Sequence, residues 1–127
     1  METLHIKETD DSPEVILDRE KQHFEISGKS LPEDVSAFFE PVLSWLRNYS
    51  RDPLPETQVN IRMTYFNTAS SKLILDIFMI LEELKETGHK VQINWYYPGY
   101  DEEMKEAGIE YSEMLDLNFN IVRENAE

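Results

Sequence analysis

No cysteine occurs in the chain, so disulfides, thiolate nucleophiles and thiolate metal sites are excluded together, which suits a reducing compartment. Glycine is scarce, with only 4 residues, and none are grouped as the glycine-rich loops that cradle nucleotide phosphates. Basic residues are also few. The 12 Lys and Arg face 26 Asp and Glu, a net charge of −14, and no basic cluster is present to release counterions from nucleic acid. Long apolar runs are missing as well. The longest, Leu73 to Leu81, is interrupted by Asp76 and falls far short of the roughly 20 residues that span a bilayer. Nucleic acid and membrane are therefore not expected as partners. The start, Met-Glu-Thr-Leu-His-Ile, lacks the basic and apolar segments of a secretory signal, so the cytoplasm is the expected location.

What is present suits one folded unit. At 127 residues, with 40% hydrophobic and 11% aromatic residues, the chain can bury a core, and residues 1–127 read as a single domain. The acidic stretches Glu8 to Asp11 and Glu124 to Glu127 read as frayed ends.

Val15 and Leu17, then Phe24 and Ile26, alternate on either side of the charged segment Asp18 to Lys21, which predicts an opening β-hairpin. Ser30-Leu31-Pro32-Glu33 has the form of a capping box and predicts a helix start. The apolar stripe from Val35 to Tyr49 continues that helix, with a kink or break at Pro41. Val59, Ile61, Met63 and Tyr65 recur with period two and place a strand with these four on one face, ending near Phe66. Asn67, Thr68, Ser70 and Ser71 are candidate N-caps for a second helix that Gly88 stops. Val91, Ile93 and Trp95 form a strand, Asp101 to Leu115 a third helix, and Phe119 and Ile121 a last strand. The order ββαβαβαβ predicts an α/β fold whose mixed sheet is packed with helices.

Few residues point to chemistry. His5, His23 and His89 share no metal-ligand spacing, and the carboxylates fall on solvated helix faces or at a helix start, so neither a metal, a cofactor nor an acid–base pair is expected. Leu75 and Met79 fall among Lys72, Glu82, Glu83 and Glu86 on the helical wheel, as ordinary surface apolar residues or as contacts for a partner. Tyr96, Tyr97 and Tyr100 either cover the end of the sheet or anchor a partner. The hydroxyls of Thr68, Ser70 and Ser71 either cap the helix or stand where added phosphate is tolerated.

The segment Tyr65-Phe66-Asn67-Thr68-Ala69-Ser70-Ser71-Lys72, with Asp76 and Glu82-Glu83 after it, resembles the SiaC family of bacterial regulatory phosphoproteins. The likeness runs from the opening hairpin through Leu31-Pro32-Glu33 and Trp45 to the strand at Trp95. It implies a fold similar to the anti-sigma-factor antagonist (STAS) domain. It further implies a threonine, matched by Thr68, that a serine/threonine kinase of the anti-sigma-factor type phosphorylates and a PP2C-type phosphatase restores. In the family's best-known member the unphosphorylated form activates a diguanylate cyclase and promotes biofilm formation. Ala69 replaces a serine often found after the threonine, leaving Ser70 as the other acceptor. The candidate partner-binding set is Asn67, Thr68, Ser70, Ser71, Lys72, Leu75 and Met79. The alternative is a constitutive interaction domain in which Thr68 only caps the helix.

Overall fold

The computed structural model describes residues 1–124. In chain order the elements are β1 (Leu4–Ile6), β2 (Glu14–Asp18), β3 (His23–Ser30), α1 (Val35–Tyr49), β4 (Glu56–Phe66), α2 (Thr68–Glu86), β5 (Lys90–Pro98), α3 (Glu102–Met114) and β6 (Asn118–Glu124). The expected order lacked β1. That strand also corrects the reading of a frayed N-terminus. Leu4 and Ile6 pair with Leu17 and Val15, Trp45 Nε1 donates to the Glu2 carbonyl at 2.7 Å, and Leu31 N donates to the Asp11 carbonyl at 2.9 Å. At the other end Glu124 closes β6, and the rest of the acidic stretch, 125–127, lies outside the described residues.

The six strands lie in sequential order, β1-β2-β3-β4-β5-β6. The first two pairings are antiparallel and the remaining three parallel. Each parallel step needs a crossover, and right-handed crossovers that always advance the same way lay their helices on one face. Burial agrees with that arrangement. Val15, Leu17, Phe24, Ile26, Val59, Ile61, Met63, Ile93 and Trp95 form the covered face and are nearly inaccessible. The opposite face is polar, with Gln58 and Asn60 registered against Gln92 and Asn94, and Asn94 Nδ2 donating to Asn60 Oδ1 at 2.9 Å. Tyr96 lies on that face beneath the Arg62 guanidinium, at 4.0 Å, so it belongs to β5 and not to a covering loop.

Two local expectations need correction. Ser30 ends β3 and caps nothing; α1 starts at Val35, because Asp34 accepts from Ala37 N at 3.0 Å. Asp34 satisfies the same orphan donors that a serine cap would, four residues closer to the apolar stripe. The helix also runs unbroken through Pro41. Pro41 and Ala37 are exposed, so the carbonyl that loses its helical donor faces water.

Candidate functional site at the start of the second helix

The period-two pattern of β4 fails at its carboxyl end. Gly28 pairs with Met63 but Lys29 pairs with Tyr65, a bulge that passes over Thr64 and reverses the phase of the alternation. Gly28 holds φ +105, a left-handed conformation that favours glycine, and the Glu8 carboxylate occupies the place of a Cβ. Tyr65 is consequently not on the face of Ile61 and Met63. It turns outward, 54% exposed, and Phe66 turns inward instead. Phe66 packs edge-on against Trp95 at 6.2 Å and lies 6.5 Å from the Tyr111 ring.

With Phe66 anchored in the core, the next residue leaves the sheet. Asn67 N donates to the Ser30 carbonyl at 3.1 Å, and Asn67 Oδ1 accepts from Ser70 N at 2.8 Å, making Asn67 the N-cap of α2. Thr68 is then the first helical residue and is exposed. Its hydroxyl takes no part in the cap and makes no hydrogen bond among the described residues.

From Thr68 the helix turns about 100° per residue, so Thr68, Lys72, Leu75 and Met79, spaced by four, three and four, share one face. Lys72 is exposed, Leu75 half-buried and Met79 49% exposed. The buried stripe is Ser70, Ile74, Ile77, Phe78, Leu81 and Leu84, on the other side.

Ser70, expected among the accessible hydroxyls, is inaccessible. It donates to the Ser30 carbonyl at 2.9 Å and lies 2.8 Å from the Ser30 hydroxyl. A phosphoryl donor cannot reach it without opening the helix start, which corrects its place both as a second acceptor and in a partner surface.

The first two turns of α2 and the C-terminal half of α3 enclose a groove of about 350 Å³, lined on one side by Asn67, Thr68, Ser71, Lys72 and Leu75 and on the other by Glu110, Tyr111 and Met114. Tyr111 fixes its width. Its hydroxyl donates to the Ser71 carbonyl at 2.8 Å, while its ring packs on Phe78 at 5.1 Å and on Trp95 at 5.6 Å. Burial pushes the Tyr111 phenol up, the Ser71 hydrogen bond draws it partly back, and the Glu110 charge adds to the rise. Gly108 lets α3 approach, since its Cβ position falls 2.6 Å from Trp95 Nε1. Ser71 Oγ bonds back to the Thr68 carbonyl at 2.6 Å, within the first turn of α2.

Of the residues expected from sequence, Asn67, Thr68, Ser71, Lys72 and Leu75 thus share one groove, and Met79 continues their stripe beyond it. Glu110, Tyr111 and Met114 were not anticipated. Their spacing of one, three and four residues within a helical segment was the available signal. The groove holds one cation, Lys72, and one carboxylate, Glu110, with no nucleophile beside a base. The histidines are occupied locally: His5 with Glu14 at 2.9 Å, His23 with Glu25 at 3.2 Å and His89 with Thr87 at 3.1 Å. What this arrangement offers is a polar-rimmed apolar contact surface with a free hydroxyl at its edge.

Comparison with known proteins agrees over nearly the full length. The model of the SiaC family of regulatory phosphoproteins matches residues 6–124. An uncharacterised protein of Pseudomonas aeruginosa strain UCBPP-PA14 is 30% identical over 121 residues, covering 95% of this chain and 96% of that protein. SiaC of Pseudomonas aeruginosa superposes with a TM-score of 0.88 at 29% identity, over 98% of this chain and 100% of that one. A chain from the crystal structure of the diguanylate cyclase SiaD in complex with its activator SiaC, from the same organism, gives a TM-score of 0.90 at 29% identity, over 95% and 99%. The chain described here belongs to the SiaC family of regulatory phosphoproteins.

Proposed function

We propose that this protein is a non-enzymatic cytoplasmic activator that binds a diguanylate cyclase while Thr68 is unmodified and releases it when Thr68 is phosphorylated. A serine/threonine kinase of the anti-sigma-factor type adds the phosphate, and a PP2C-type phosphatase removes it. The observation that carries this reading is the exposed Thr68 hydroxyl, unused as a cap because Asn67 caps α2, at the head of a stripe that continues through Lys72, Leu75 and Met79. The complex of the related SiaC with SiaD supports a diguanylate cyclase as the partner.

The mechanism follows from charge. Phosphate adds about −1.5 to −2 charge at neutral pH, on a molecule already at −14. Placed in a packed interface, that dianion loses water and meets a surface suited to a neutral hydroxyl. The effective penalty for burying a poorly paired ion is on the order of several kcal/mol, and each ~1.4 kcal/mol is tenfold in affinity. Binding is lost while the fold persists, because Thr68 supports nothing in the core. Intact-mass analysis of protein from its native cells tests the modification. A fraction heavier by one phosphate, mapping to the peptide that contains Thr68, is expected; phosphate absent from that peptide under every growth condition argues for constitutive binding instead.

A further inference from the structure

We infer that Lys72 receives the phosphate of Thr68, its ammonium closing on the phosphoryl oxygens so that modification removes a cation and a neutral hydroxyl from the docking stripe in one event. The inference rests on the reading of Thr68 given above and adds the residue through which modification reshapes the surface. Thr68 and Lys72 stand at i and i+4 of α2, about 5–6 Å apart between Cβ atoms, with the anion on the N-terminal side, the favoured order for such a pair. Both are exposed, and both line the same groove, so the lysine side chain can swing without repacking anything. Among the described residues, no carboxylate lies within ion-pair distance of Lys72.

The competitors for that ammonium are weaker. Asp76 follows Lys72 by four residues in the less favourable order and carries a single charge. Glu110 faces it across the groove from α3. Tyr111 stays a neutral phenol committed to the Ser71 carbonyl. A phosphate approaching two negative charges on the favoured side outcompetes either carboxylate. Unmodified, the stripe presents hydroxyl, ammonium, Leu75 and Met79 to a partner. Modified, its first two positions become a closed ion pair with excess negative charge.

The test installs phosphothreonine at position 68 during synthesis of the full chain and follows its 31P resonance through the second phosphate ionisation. A neighbouring cation favours the dianion, so the wild-type midpoint is depressed. Lys72→Gln should raise the midpoint by about 0.3 unit or more, Lys72→Arg should restore it, and Asp76→Asn should depress it further by removing a competitor. Added salt should shrink the difference between wild type and Lys72→Gln, as for an exposed pair. Coincident titrations of wild type and Lys72→Gln, or of Lys72→Arg and Lys72→Gln, would overturn the inference. Because the phosphate is installed chemically, that failure says nothing against Thr68 as the cell's phosphorylation site. Equally, absence of phosphate in cells leaves the pairing measurement intact.

Discussion

The hydroxyl of Ser70 donates to the backbone carbonyl of Ser30, forty positions away in the chain, and each hydroxyl lies 2.8 Å from the other. A hydroxyl has one proton to give, so the Ser30 hydroxyl must donate to Ser70 Oγ. The same Ser30 carbonyl accepts from Asn67 N. Carboxyl end of β3, cap of α2 and first turn of α2 are thereby fixed together beneath Thr68. Ser70→Ala removes one partner and leaves the Ser30 hydroxyl unpaired in a fully buried place, which should cost about 1–3 kcal/mol. Ser30→Ala combined with Ser70→Ala should recover part of that loss, since no orphan hydroxyl remains. Urea unfolding of the single and double variants measures both.

Cap and proposed phosphosite are adjacent but separable. Asn67→Ala deletes the side chain that accepts from Ser70 N and should lower stability by about 1 kcal/mol. Thr68→Ala deletes a hydroxyl without a partner at an exposed position and should stay within about 0.5 kcal/mol of the parent. Thermal melts of the two variants side by side check the division of roles; a larger loss for Thr68→Ala would return the capping role to it.

Tyr111 supplies a pH signature for the groove. Burial raises its phenol in the folded state above the ordinary tyrosine value of about 10. The folded protein then holds that proton more tightly than the unfolded chain, so stability from this group is complete below about pH 10 and declines as pH rises above it. Tyr111→Phe should lose about 0.5–1.5 kcal/mol at neutral pH, from the bond to the Ser71 carbonyl. It should also unfold less steeply between about pH 10 and pH 12 than the parent. Stability measured by denaturant at several alkaline pH values gives both numbers.

Periodicity made the helices and the central strands legible, because Ile77, Phe78, Leu81 and Leu84, or Val59 and Ile61, bury one face each. It could not reveal β1, whose three residues are too few to show an alternation. The bulge opposite Lys29 was hidden for a different reason. Tyr65 and Phe66 are equally suited to a core, and only the pairing partner decides which turns in. Asn67, Thr68, Ser70 and Ser71 are all ordinary residues for a helix start, so their chemistry does not distinguish the cap from the buried clasp and the free hydroxyl. The α3 wall of the groove is set by Gly108 meeting Trp95 where α3 packs on β5, a contact between segments that share no local pattern.

The central claim, that charge at Thr68 dismisses the partner from an otherwise unchanged protein, is tested most directly by calorimetric titration of a diguanylate cyclase from the same organism against Thr68→Ala and Thr68→Asp. The account predicts parent-like affinity for the Ala form and at least about tenfold weaker binding, or about 1.4 kcal/mol, for the Asp form. Both should melt close to the parent, since an acidic residue at a helix start is tolerated. Equal affinity of the two forms for the cyclase would contradict the account.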